Sequence, residues 1–225
     1  MSDRALADHY RSLPREGRLP GRCEMRLPED LEGLRVVDLL CRGGKGAFKL
    51  ADRVGAQGFV LACDPDEARV AQAEQRRAEA EEAGCAWARR LAFRCAAPED
   101  LAACGVRDAS FDLVYVNAAV NVVYDFDAVL AEAARVLTDG GALRMAGVFA
   151  REEAPAPEDP SLAGNVFAHA RTFEQVERAA ARAGLRACGF TGVEPIVPDG
   201  DDAAANLPAG GYVAADARLI RIATF

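Results

Sequence analysis

The residues best equipped for chemistry lie in one stretch, Arg35-Val36-Val37-Asp38-Leu39-Leu40-Cys41-Arg42-Gly43-Gly44-Lys45-Gly46. Its first half is a short apolar run with β-branched residues, which suits a buried strand. Its second half sets three glycines before a helical pattern. A strand, tight turn and helix in that order present backbone N–H groups at a helix N-terminus to a ligand, and in open α/β sheets the ligand crevice lies beyond the carboxyl ends of the strands. A second apolar run, Phe59-Val60-Leu61-Ala62-Cys63, ends in Asp64, roughly 20 residues past the glycines. Glycines that admit a ligand, followed at this distance by a carboxylate able to accept from ribose hydroxyls, follow the logic of a nucleoside site.

That logic leaves two ligand classes open, a nicotinamide dinucleotide and S-adenosylmethionine, because both present adenosine. The dinucleotide fingerprint fails at its third glycine, where Gly44-Lys45-Gly46-Ala47-Phe48-Lys49 places a lysine. A P-loop is excluded because Gly44-Lys45 is followed by glycine rather than serine or threonine.

The elements that must position this stretch alternate along the chain. Expected strands cover residues 35–40, 59–63, 91–96, 110–117 and 142–149, and expected helices cover 2–13, 45–54, 66–83, a short piece near 99–103, and 126–137. Residues 138–141, Thr-Asp-Gly-Gly, read as a turn, and Gly55 and Gly84 as helix stops. Thr172-Phe173-Glu174-Gln175 is a capping-box start for a helix running to about residue 183, with Gly184 as its stop. Two final strands, 186–197 and 212–224, joined by a polar loop, favour an antiparallel hairpin at one edge. The expected fold class is α/β, a doubly wound, seven-stranded, mostly parallel sheet with that terminal hairpin. One domain spans 1–225, with a lead-in at 1–33, a cofactor-binding core at 34–150, and a loop, helix and hairpin at 151–225.

Composition narrows the partners. With 28% charged residues and half the chain hydrophobic, the sequence is that of a globular protein. A net charge of -8 argues against general binding to nucleic acid or anionic membranes. No apolar run reaches membrane-spanning length and no signal peptide opens the chain, so the expected compartment is the cytoplasm. Seven cysteines without a CxxC pair or zinc spacing read mostly as buried small hydrophobes. His9 and His169, the only histidines, are isolated and read as structural or solvated.

The stretch Val36-Val37-Asp38-Leu39-Leu40-Cys41-Arg42-Gly43-Gly44 resembles the first motif of class I S-adenosylmethionine-dependent methyltransferases, and Val60-Leu61-Ala62-Cys63-Asp64 resembles their acidic second strand. Phe111-Asp112-Leu113-Val114-Tyr115-Val116-Asn117 and Ala134-Arg135-Val136-Leu137-Thr138-Asp139-Gly140-Gly141 are similar to the fourth strand and to the turn before the fifth. Within the family the likeness is nearest the arsenite methyltransferase branch, through Cys23, Leu27-Pro28-Glu29-Asp30-Leu31-Glu32-Gly33, and Asn117 with Asn121. That branch holds arsenic on several cysteines. Cys23 matches one of them as a candidate thiophilic ligand, and Val166 stands where another is expected.

The resemblance implies S-adenosylmethionine as cofactor. Asp38 would support the loop, Leu40, Cys41, Gly43 and Gly44 would line the methionine end, and Asp64 with Pro65 would hold the ribose. Pro98 and Glu99 would lie near adenine, and Asn117 would stand at the reactive centre as the catalytic candidate. The methyl acceptor is a small molecule or protein of unread identity, as is the oligomeric state. Other functions compatible with these residues are a non-catalytic binding or assembly module, an arsenite methyltransferase and a nicotinamide-dependent oxidoreductase. The family carries glycine at the positions of Leu40 and Arg42, where the backbone passes close to the ligand and φ > 0 is called for.

Overall fold

The computed structural model describes residues 3–13, 27–155, 157, 159, 162–198 and 207–223. The chain opens with helix α1 (Asp3–Ser12), followed by strand β1 (Arg35–Leu39), α2 (Lys45–Arg53), β2 (Phe59–Asp64), α3 (Glu67–Glu82) and β3 (Leu91–Cys95). Then come β4 (Phe111–Asn117), α4 (Phe126–Val136), β5 (Leu137–Ala150), α5 (Phe173–Arg182), β6 (Leu185–Ile196) and β7 (Tyr212–Arg221). The seven strands form one sheet in the order β3-β2-β1-β4-β5-β7-β6. The first five are parallel, whereas β7 runs antiparallel to both β5 and β6, which is the expected terminal hairpin.

The order reverses direction beside β1, and this puts the turn after β1 at the topological switch point where such sheets bind ligands. The helices end where the glycines allow. Gly55, Gly84 and Gly184 adopt φ values of 65°, 83° and 76°, the left-handed conformation that closes a helix at little cost for glycine. Thr172 and Gln175 form the reciprocal capping box at the start of α5. Asp66 and Asp125 cap α3 and α4 by accepting from backbone amides of the first turn.

Two apolar clusters divide the core. Val37, Leu39, Val114 and Val116 contribute to one, together with α4 and α5. Val36, Leu113 and Tyr115 contribute to the other, together with α2. This is the strand alternation expected when both faces of a parallel sheet are covered.

Several expectations are corrected. Residues 138–141 do not end one element before the next begins. Leu137 already pairs with Phe111, the register shifts before Leu113 pairs with Ala142, and Gly140 at φ 78° absorbs the irregularity, so the turn is a bulge within a longer β5. The helical piece expected near 99–103 is a single 3-10 turn, Ala102–Cys104. Of the described cysteines only Cys41 and Cys63 are buried; Cys85 and Cys104 are half-buried, and Cys95 and Cys188 are exposed. The physical reason is position, since Cys95 ends edge strand β3 and Cys188 lies on edge strand β6. Cys23 lies outside the described residues.

Candidate active site

The carboxyl ends of β1 and β2 are tied together by the turn itself. The Cys41 amide donates to the Cys63 carbonyl at 3.0 Å, one step past the regular ladder, and the Arg42 amide donates to Asp64 Oδ2 at 2.8 Å. Asp64 Oδ1 accepts from the Asp66 amide at 2.9 Å, with the Arg69 guanidinium 3.9 Å away. The turn closes with the Gly44 amide on the Cys41 carbonyl, and α2 begins when the Phe48 amide reaches Gly44. Gly44 must be glycine for two reasons: its φ is 77°, and a Cβ there would stand 2.8 Å from Phe93.

Leu40 and Arg42 sit at φ 55° and 51°, the left-handed region that non-glycine residues rarely occupy. The backbone therefore keeps the path that glycines would take while carrying two large side chains. Leu40 is buried in the core, and Arg42 lies half-buried beside Arg69. Burial and the neighbouring Arg69 charge lower the Arg42 pKa.

Asp38 lies in register between Ala62 and Tyr115, buried in the sheet behind the turn. Its pKa is pushed up to about 8, first by burial and then by the Asp64 charge. The Asp64 carboxyl is also raised by burial, with the Asp66 and Arg42 amides and Arg69 opposing the rise. The Cys41 thiol, next to both aspartates, is pushed up by burial, so it has little thiolate character.

Helix α1 closes the top of the crevice. The Tyr10 hydroxyl donates to Glu99 at 2.8 Å, and Glu99 also accepts from the Tyr124 and Asp125 amides. His9 Nε2 bonds the Val122 carbonyl at 2.8 Å. Glu99 thus holds α1 and the segment after β4 in place, with Pro98 buried beside it. Neither Tyr10 nor Arg69 was singled out from the sequence. An amphipathic first helix and a salt-bridge-rich third helix carry no local mark of where they dock.

The crevice has two unequal parts. Between α1 and the ends of β2 and β3 runs a groove of about 640 Å³ lined by Leu6, Tyr10, Pro65, Asp66, Ala96 and Ala97. Next to it, among Tyr10, Leu40, Arg42, Asp64, Ala119 and Val122, the remaining cavity is about 30 Å³, space for about one water. A separate hollow of about 690 Å³ lies over Tyr115, Arg144, Asp216 and Arg218. It also borders Asp112, Thr138 and Gly140, toward the amino ends of β4 and β5, away from the switch point.

Asn117 ends β4 with its Oδ1 buried and without a hydrogen-bond partner among the described residues. Asn121 is occupied structurally, its amide donating to the Val148 and Val166 carbonyls at 2.7 and 2.9 Å. Val166 is buried. His169 has a buried Nε2 without a partner among the described residues, and burial lowers its pKa. Among the described residues no group of three His, Cys, Asp or Glu side chains is placed to hold a metal.

A doubly wound sheet in this strand order, with an acidic residue closing β2 beside a glycine turn, defines a Rossmann-like fold of the methyltransferase type. The chain matches the family described as "Methyltransferase domain" over residues 30–184, and it belongs to that family. It is 32% identical over 203 residues to an arsenite methyltransferase of Aquipseudomonas alcaligenes, an alignment covering 89% of this chain and 58% of that protein. It is 34% identical over 133 residues to an arsenite methyltransferase of Mus musculus, covering 59% of this chain and 35% of that one. The chain therefore spans little more than half the length of the first of these relatives and about a third of the second. In structure it is similar to an arsenic(III) S-adenosylmethionine methyltransferase from Chlamydomonas reinhardtii, with a TM-score of 0.74 and 26% identity over 98% of this chain and 73% of that one.

Proposed function

We propose that this protein is an S-adenosylmethionine-dependent methyltransferase whose acceptor is a small molecule or a protein. The observation that carries the reading is the Asp64 carboxylate, buried at the switch point and lining the smaller part of the crevice, with the adjacent Pro65 and Asp66 bordering both parts. A carboxylate has about four acceptor sites, and two backbone amides use two of them, so capacity remains for a ribose diol. The residues fit the nucleoside half of the cofactor, because the groove of about 640 Å³ falls in the range of about 300–1,000 Å³ typical of ligand sites. They fit the amino-acid half only with the Arg42 side chain turned outward.

When bound, S-adenosylmethionine supplies an electrophilic methyl group on a sulfonium centre. The chain's contribution is positioning and exclusion of water. Asp64 orients the nucleoside, α1 covers it through Tyr10 and Glu99, and Asn117 offers, at the end of β4, an acceptor without a partner among the described residues. Asp38, kept largely neutral near pH 7 by its raised pKa, supports the turn from behind without adding a second buried negative charge.

The arsenite methyltransferase relatives suggest a soft acceptor, but the described cysteines form no ligand cluster, and the resemblance to that branch implies a cysteine where this chain has Val166. The six described cysteines are free thiols, which supports a reducing, cytoplasmic setting. Among the described residues no helix is long and apolar enough to cross a membrane.

A thermal-shift titration tests the reading. S-adenosylmethionine or S-adenosylhomocysteine at 100 times its Kd stabilises the folded chain by about 2.7 kcal/mol, and NAD does not. No shift with either ligand, in protein shown to be folded by circular dichroism, overturns the assignment. Binding without methyl transfer to any offered acceptor favours a second reading, a methyltransferase-like binding module, for which the observation is the 30 Å³ left beside Leu40 and Arg42.

A further inference from the structure

Two side chains occupy the space that separates the nucleoside groove from the end of β4. Leu40 and Arg42 both hold left-handed backbone, which costs a non-glycine residue about 1–2 kcal/mol at each position. The loop cannot relax, because the Cys41 amide is tethered to Cys63 and the Arg42 amide to Asp64. Held in this way, the Leu40 side chain enters the core and the Arg42 side chain lies along the crevice wall with Tyr10, Val122 and Gly164. The strain and the filling have the same source. Glycine at these two positions would relieve the backbone and open the cavity together.

On this geometry, and resting on the methyltransferase reading above, we infer that Leu40 and Arg42 form an internal plug that divides the cofactor crevice. The nucleoside part of the ligand enters the open groove with the plug in place. The amino-acid arm enters only after Arg42 swings out, so the wild-type chain gains little affinity from that arm. Arg42 is the half of the plug at the crevice edge, half-buried, whereas Leu40 is packed into the core.

The test is isothermal titration of adenosine and of S-adenosylhomocysteine into the wild-type chain and into Arg42→Gly, with Arg42→Ala as a second variant that removes the arm but keeps the strain. The wild type is expected to bind the two ligands with similar affinity. Both variants are expected to bind S-adenosylhomocysteine at least tenfold more tightly, with adenosine affinity changed by less than twofold. Equal S-adenosylhomocysteine affinity in wild type and variants overturns the plug and leaves the methyltransferase reading standing. Weaker S-adenosylhomocysteine binding in the variants also overturns it and makes Arg42 an anchor for the ligand carboxylate. Failure of every protein to bind either ligand overturns the plug and the methyltransferase reading together.

Discussion

The Arg42 amide donates to Asp64 Oδ2 at 2.8 Å, so the turn after β1 is held by the same carboxylate that faces the crevice from the end of β2. Support of the loop and recognition of a nucleoside are therefore not separable at Asp64. Asp64→Ala leaves the Arg42 and Asp66 amides without their acceptor, at about 1–3 kcal/mol for each group that remains buried. A loss of about 2 kcal/mol or more in urea unfolding is expected, together with loss of adenosine binding. Asp64→Asn keeps one acceptor oxygen and loses less.

The adjacent glycines of the turn respond differently. Gly44→Ala puts a Cβ 2.8 Å from Phe93 on a backbone at φ 77°, so it is expected to destabilise by about 2 kcal/mol or more. Gly43→Ala meets only the end of the Arg76 side chain at 3.4 Å and is expected to change stability by less than about 0.5 kcal/mol. Urea midpoints of the two variants check the contrast.

Glycine substitution at the two plug residues separates strain from packing. Arg42→Gly relieves a left-handed residue but gives up a half-buried side chain, so a change between zero and a gain of about 1 kcal/mol is expected after the extra freedom of the unfolded chain is counted. Leu40→Gly gains the same relief but empties a core site, where truncating leucine costs about 2–5 kcal/mol, so a net loss is expected. Chemical denaturation reads both signs.

Asp38 gives the fold a pH dependence of defined sign. Its folded pKa of about 8 lies above its unfolded value of 3.8, so between those limits the folded state binds the proton more tightly. The contribution of this group to stability is fully present below about pH 4 and declines as the pH rises toward 8. The maximum slope is roughly 1.4 kcal/mol per pH unit. Asp38→Asn removes that slope. Denaturant curves at pH 5 and pH 8 are expected to show the variant gaining on the wild type at the higher pH.

Tyr10→Phe removes the hydroxyl that ties α1 to Glu99 while keeping the ring. A hydrogen bond to a charged group contributes about 1.5–3 kcal/mol, and Glu99 keeps its two backbone donors, so the lower end of that range is expected. Amide hydrogen exchange should speed up in α1 and around Val122 while α4 and α5 stay protected.

The sequence by itself determined the layers of this protein. The alternation of apolar runs with capped, glycine-stopped helices specified the strand and helix order, and the 172–175 capping box specified the start of α5 to the residue. Those signals are local, because a cap or a glycine stop depends on backbone groups within one turn. The bulge of β5 was not local. Thr138 to Gly141 look like a turn in isolation, and only the pairing of Leu137 with Phe111 draws them into the strand.

The site divides along the same line. Asp64 and the glycine turn were legible, since their spacing follows from one strand-turn-helix unit. The partnership of Glu99 with Tyr10, 89 residues apart, was decided by how α1 folds back over the strand ends. That Leu40 and Arg42 hold the left-handed backbone was likewise a tertiary outcome. Hydrogen bonds to Cys63 and Asp64 of the neighbouring strand hold the turn, which sends Leu40 into the core and Arg42 along the crevice wall.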